Sequence, residues 1–265
     1  SDASTVAFDH ESNRLLMGGM NARADHPVTP AKLWDPRTDE TISSAKAGAG
    51  PVAFLRDGTP VQLVQEGNAS LVLWNVSGKE AIGEFVVPQP KDGVPLNILE
   101  MALAPDGSLV AASAARLDQD GRPDPKAGGM IAVWDSQSGK LLHHFDEVAT
   151  ALAVSPDAKL LAAGNDGGRV TVWSLSDGEQ LTVMQSRRRN TIHCIAFGRD
   201  AHRPDGGERR GDDLAWLLAT GHAGGLVTIW DLAGRVQAYC PGSAYDVYSV
   251  AFSPDGTLLA SAGRG

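Results

Sequence analysis

"VSPDAKLLAAGNDGGRVTVW" (154–173) and "LLATGHAGGLVTIW" (217–230) are built on one plan. Leu160 precedes Trp173 by 13 positions, and Leu217 precedes Trp230 by the same 13. In each, an apolar run leads into a Gly/Asn-type turn, and a second apolar run closes on the indole. Apolar residues stand one and three places before the tryptophan, as Val170 and Val172 do before Trp173. That is a period of two, which predicts strands rather than helices. The intervening residues, such as Thr171, are small or β-branched, so both faces of the strand are expected to be buried.

Working outward, the plan repeats along the whole chain. A hydrophobic–Ala–hydrophobic triplet occurs six times: Val6-Ala7-Phe8, Val52-Ala53-Phe54, Met101-Ala102-Leu103, Leu152-Ala153-Val154, Ile195-Ala196-Phe197 and Val250-Ala251-Phe252. The spacings are 46, 49, 51, 43 and 55 residues, a period that marks stacked repeats. Turn sequences follow most triplets: "LRDG" (55–58), "APDG" (104–107), "SPDA" (155–158) and "SPDG" (253–256). Proline presets the first central dihedral, aspartate bonds locally and glycine relieves the exit, so each predicts a tight β-turn.

Five runs end in tryptophan, at Trp34, Trp74, Trp134, Trp173 and Trp230. After each comes a further turn and strand, as in "SGKEAIGEF" (77–85) and "SGKLLHHF" (138–145). Four short strands per repeat form a sheet that cannot cover both its apolar faces alone. Radial stacking covers them and leaves only short edges. The repeat bounds are expected near 1–46, 47–90, 91–146, 147–186 and 187–241, with an incomplete unit at 242–265, all within one domain.

At these residues the sequence resembles the WD40-repeat family. The dipeptide stands as Trp34-Asp35, Trp134-Asp135 and Trp230-Asp231, and has drifted to Trp74-Asn75 and Trp173-Ser174. The resemblance implies an all-β propeller of four-stranded antiparallel blades, with five complete blades here, the start of a sixth and seven in a complete ring. It also implies a buried network joining the Trp to a Ser/Thr, a His and an Asp. Asp166 holds the Asp position in the fourth repeat, where Ala163 replaces the Ser/Thr. Thr220 matches in the fifth, where Ala223 stands for the Asp. His222 is a Gly-His by letters only, in the wrong turn, so packing is expected to matter more than the network. Lactonase-like and TolB-like propellers share the "SPDG…LA" phrase but lack a regular Trp-Asp ending. In the terminal stretch "SVAFSPDGTLLASAGRG" (249–265), the 13-residue offset from Leu258 points to position 271. The chain is therefore expected to be part of a longer propeller whose further blades lie on other sequence or another polypeptide.

Composition narrows the function. Net charge is −9 (23 basic against 32 acidic residues), which disfavours generic nucleic-acid binding. Arg187-Arg188-Arg189 and Arg209-Arg210 are expected in solvated loops. Two cysteines, Cys194 and Cys240, make neither a disulfide framework nor a metal pair. No apolar run is long enough to span a bilayer and no targeting segment is visible, so no membrane partner and a cytoplasmic location are expected. There is no nucleophile elbow, phosphate loop or metal-ligand spacing, so an enzyme is not expected, nor any cofactor or metal. His143-His144 point to opposite faces of a strand and cannot chelate together. His193 reads as structural. "LDQDGRPD" (117–124) has the acids of a calcium loop without its closing Glu or helices.

The insertions carry what functional signal there is. The turn before the Trp strand is expanded at 20–31 and 116–129, and the connector at 88–97 is long and Pro-rich. In a WD40-like ring these loop types open on one face, and long loops on a rigid scaffold commonly carry binding. Arg23, Asp25, His26, Lys91, Asp92, Arg116, Asp118, Asp120 and Arg122 are the candidate contacts with a protein partner. The insertion at 199–213 is expected on the opposite face. The leading expectation is a non-catalytic interaction scaffold. The alternative is a regulatory propeller within a larger enzyme, and a lactonase-like propeller with a metal in its central channel is a third.

Overall fold

Turn chemistry decides where each strand starts and stops. The computed structural model describes residues 6–9, 14–18, 30–47, 50–119, 123–124, 127–200, 216–241 and 245–263, with the side chains of 43–47 excepted. They fall into two compact units, Ser1–Val148 and Ala149–Gly265. The fold is all-β, built of four-stranded β-propeller blades.

The first unit holds three sheets: β1 (Val6–Asp9), β2 (Arg14–Met17), β3 (Pro30–Asp35) and β4 (Glu40–Ala47); β5 (Val52–Phe54), β6 (Pro60–Glu66), β7 (Ser70–Asn75) and β8 (Glu80–Val86); β9 (Asn97–Leu103), β10 (Leu109–Ala115), β11 (Gly129–Asp135) and β12 (Leu141–Phe145). The second holds β13 (Ala151–Val154), β14 (Leu160–Gly164), β15 (Arg169–Ser174) and β16 (Gln180–Gln185); β17 (Ile192–Arg199), β18 (Trp216–His222), β19 (Leu226–Asp231) and β20 (Val236–Pro241); and a two-stranded sheet of β21 (Val247–Phe252) and β22 (Leu259–Gly263). Strand order within every sheet follows the chain, and every pairing is antiparallel. Each hydrophobic–Ala–hydrophobic triplet lies on the first strand of its sheet, and each repeat tryptophan lies on the third.

The turns after the triplets form as the residues dictate. Gly58, Gly107, Ala158 and Gly256 each donate their N–H to the carbonyl three residues back at 2.8 Å. The turn aspartates accept from the backbone two residues on, as Asp106 does from Ser108 at 3.0 Å. Three of the four exit residues are glycines with φ of 69–78°; the fourth is Ala158 at φ 57°, where an L side chain crowds its own backbone.

The residue after each tryptophan acts locally. Asp35 accepts the Arg37 N–H at 2.9 Å, Asp135 accepts the Ser138 N–H at 2.7 Å, and Asp231 accepts the Arg235 N–H at 2.9 Å. Asn75 does the same through its amide oxygen, to Ser77 at 3.0 Å and Gly78 at 2.9 Å. Only the carbonyl-type oxygen is needed, which is why Trp-Asp can drift to Trp-Asn. In the fourth repeat the acceptor has moved along the turn: Asp177 takes the Glu179 N–H at 3.0 Å, and Ser174 is left to bond Ser176 at 2.9 Å.

Packing is sheet on sheet. Every residue of β10 and β14 is buried, whereas the fourth strands β8, β12 and β16 are largely exposed. Val72, Ala132 and Thr171, between the inward pairs of three Trp strands, are buried as expected for a sheet covered on both sides. In the first unit Leu63, Leu73 and Phe85 meet Val110, Ala112 and Trp134, with the Phe85 and Trp134 rings 6.0 Å apart. Leu16 and Leu33 meet Val52 and Phe54. In the second unit Leu160, Val172 and Met184 meet Phe197, Leu218 and Trp230, and Ala219 and Val227 meet Val247 and Val250. Gly198 is required by this closeness, because any side chain there would overlap the Phe252 ring of the next sheet. Trp134, Trp173 and Trp230 are buried, and Trp34 and Trp74 are half-buried.

Urea titration of single variants tests the role given to the residue after tryptophan. Asp135→Asn should leave stability nearly unchanged, while Asp135→Ala should lower it by about 1 kcal/mol, one net hydrogen bond's worth. Equal losses in both would show that charge, not the acceptor oxygen, is what matters.

Candidate interaction face

Two kinds of loop meet at one end of the sheets: the turn from second to third strand, and the connector from one sheet's fourth strand to the next sheet's first. In the first unit the connector after β8 is stiffened from within. The Gln89 side chain donates to the Val87 carbonyl at 3.1 Å and accepts the Leu96 N–H at 2.9 Å. Gly93 turns the chain at φ 76°, and Asp92 accepts the Val94 N–H at 3.1 Å. The turn after β10 extends its hairpin: Leu117 bridges Pro123, and the Arg116 carbonyl accepts the Asp124 N–H at 2.9 Å. The Arg116 guanidinium donates to the Asp92 carboxylate and so ties the two loops together. The Val94 N–H and then Arg116 hold the Asp92 carboxyl below the usual carboxylate range. Lys91, Asp92 and Asp118 are exposed, as are Val94 and Leu117 beside them. Arg23, Asp25, His26, Asp120 and Arg122 lie outside the described residues, as does the insertion from 201 to 213.

The second unit repeats the loop pairing with other residues. Asp246, in the connector before β21, accepts the Gly224 N–H of the β18–β19 turn at 2.8 Å and the Tyr248 hydroxyl at 3.2 Å. His193 places its Nε2 3.6 Å from the same carboxylate, its ring 4.9 Å from that of Tyr248. The Gly224 N–H, then Tyr248 and His193, hold Asp246 below the usual range. Sequence reasoning missed Asp246 and Tyr248. Their signal was an acid in the connector four residues ahead of a triplet, the place from which it reaches the neighbouring turn.

Beneath this turn runs a buried polar chain. The Trp230 indole N–H donates to Thr220 Oγ1 at 3.0 Å, and Thr220 Oγ1 lies 2.9 Å from His222 Nε2. The Trp–Thr bond is the one the family resemblance implied. The imidazole comes from the second strand itself, two residues past Thr220 and on the same face. The sequence reading sets His222 aside for lying in the wrong turn, but alternation along β18 brings it to Thr220 whichever turn follows. Asp166 is exposed, and the acceptor organising its turn is Asn165, which takes the Gly167 and Arg169 N–H groups at 3.0 Å each. Burial, and the charge of His193 when protonated, push the His222 pKa down to about 4.

His143 stacks on Phe145 at 6.0 Å while His144 is exposed on the other face of β12. Neither cysteine is in a disulfide. Among the described residues there is no cluster of three or more metal-ligating side chains, and no helix is long and apolar enough to cross a membrane.

Comparison with known proteins converges on one class. The family model "WD domain, G-beta repeat" matches residues 136–174 and 234–265. The chain is 30% identical over 175 residues to WD repeat-containing protein SL1-17 of Schistosoma mansoni, covering 64% of this chain and 49% of that protein. It is 28% identical over 141 residues to small ribosomal subunit protein RACK1y of Oryza sativa subsp. japonica, covering 49% of this chain and 37% of that one. The crystal structure of the computationally designed protein Ika8 superposes with a TM-score of 0.60 at 19% identity, covering all of this chain and 71% of that chain. The chain thus spans about half the length of the first of these relatives and less of the second. These matches, with the phased tryptophans and sequentially ordered sheets, define a β-propeller of the WD type. The family model and the named relatives show that the chain carries WD40-type repeats.

His222 makes stability depend on pH in a definite direction. Its folded pKa of about 4 lies below the ordinary 6.5, so between those values the unfolded chain takes up a proton that the folded one refuses. Stability is undiminished by this group above pH 6.5 and falls as pH drops towards 4, by up to about 3 kcal/mol. Burial pushes Glu100 up to about 7, which acts oppositely between its ordinary 4.5 and 7, so the wild-type curve mixes both. The difference between wild type and His222→Gln isolates the histidine. Denaturant titrations should show the variant gaining on wild type as pH falls through that window, and parallel curves would contradict the assignment.

Proposed function

We propose that this WD40 chain is a non-catalytic scaffold that recognises a protein partner through the loops 20–31, 88–97 and 116–129. The observation that carries the reading is the Arg116–Asp92 ion pair, which joins a long connector to an expanded turn on one rigid platform. Around that pair stand Lys91, Asp118, Val94 and Leu117, a mixture of charge and exposed apolar surface suited to a protein surface. Arg23, Asp25, His26, Asp120 and Arg122 complete the proposed contact set. Relatives whose names place them in larger assemblies, such as small ribosomal subunit protein RACK1y, support a scaffold role. Two cysteines outside any disulfide fit a reducing compartment, so the reading includes a cytoplasmic location.

Affinity capture with quantitative mass spectrometry tests the assignment. Shortening 88–97 and 116–129 should reduce recovery of specific partners at least tenfold, about 1.4 kcal/mol. Arg56→Ala, which breaks the Arg56–Asp106 pair at the opposite end of the sheets, should leave recovery unchanged. Undiminished capture by the shortened protein would contradict the proposal.

A further inference from the structure

A groove of about 710 Å³ opens on the outer rim of the second unit, between the fourth strands β16 and β20. It belongs to the second unit and shares no residue with the loops proposed above, so it does not depend on them. Its floor is apolar, formed by Met184, Val236 and the edge of Trp230, and Val183 and Tyr239 stand at its sides. Met184 and Trp230 are buried, while Val183 and Tyr239 are 42% and 39% exposed. At one end Arg187 holds its guanidinium 5.3 Å from the centre of the Tyr239 ring.

Charge singles out the occupant. Arg187, Arg188 and Arg189 are consecutive and all exposed, and none has a carboxylate partner among the described residues. The sequence places this cluster in a solvated loop, and all three arginines are exposed. No acidic side chain lines the groove. Arg187 lines the groove and Arg188 and Arg189 follow it in the chain, so on a chain of net charge −9 this end of the groove carries the opposite sign to the rest of the molecule. Stacking on Tyr239 holds Arg187 in place, so less side-chain freedom is lost when it meets a carboxylate.

We infer that this groove binds a short acidic peptide segment of a partner protein. One aliphatic side chain rests on Met184 and Val236, and flanking carboxylates pair with Arg187, Arg188 and Arg189. The guanidiniums supply orientation and salt-sensitive attraction, and the apolar seat supplies the discrimination against a purely charged chain.

Fluorescence anisotropy with a labelled Asp-Glu-Asp-Leu-Asp-Glu-Asp peptide tests this. The peptide should bind saturably. Replacing its Leu by Ser, or its acids by Lys, should weaken binding at least tenfold. Arg187→Glu should likewise weaken it at least tenfold and Tyr239→Ala severalfold; both positions are exposed, and unchanged melting curves would show the fold intact. No binding up to about 1 mM peptide overturns the inference. So does equal affinity in wild type and both variants, which would place the peptide elsewhere. Preferential capture of a single-stranded oligonucleotide, or self-association abolished by Arg187→Glu, would assign the groove to another occupant and equally overturn it.

Discussion

Everything in this chain follows from the need to cover both faces of the second and third strands of each sheet. β10 and β14 carry nothing but Leu, Val, Ala, Ser and Gly and are buried throughout. A four-stranded sheet with two apolar faces is unstable alone, because each exposed face forfeits roughly 25 cal/mol for every Å² of apolar surface left in water. Within each unit the neighbouring sheet supplies the cover. Leu73 and Phe85 lie on Ala112 and Trp134, and Val172 and Met184 lie on Phe197 and Trp230. Sheets so closely stacked demand small residues at the points of approach, which accounts for Gly198 under Phe252 and for the alanines of β10.

With packing carrying the fold, the polar signature is free to drift. Trp-Asp, Trp-Asn and Trp-Ser all end a third strand here, since any nearby oxygen can accept the turn's N–H groups and Asp177 can take over from its neighbour. The same freedom lets His222 enter the Trp–Thr chain from the strand. It also bears on how the repeat is recognised. The matched segment 136–174 runs from the fourth strand of one sheet through the third of the next, one strand out of step with the sheets themselves.

Strand positions, turn types and sheet order were legible because each rests on local chemistry: period-two alternation, Pro-Asp-Gly turns and indoles in phase. That the 88–97 and 116–129 loops open on one face was implied by the WD40 resemblance, and the Arg116–Asp92 pair that ties them was not legible. What was not legible depends on side chains meeting across sheets. Nothing in "TGHAGG" (220–225) announces that His222 reaches Thr220, or that Gly224 donates to Asp246 22 residues later. The Arg187–Tyr239 contact joins residues 52 positions apart in a groove that two fourth strands create together. Such pairings appear only when the stacking fixes which edges are neighbours.

Within each unit the stacked sheets hold in place the loops and the rim groove proposed above to meet partners. The stacking is therefore the claim to test first. Amide hydrogen exchange followed strand by strand does so directly, because protection reports how much structure must open to expose each N–H. The account predicts the slowest exchange in β6, β10, β14 and β18 and in the Trp strands β7, β11, β15 and β19, with the fourth strands faster. Protection spread evenly over all strands, or greatest in the exposed fourth strands, would contradict it.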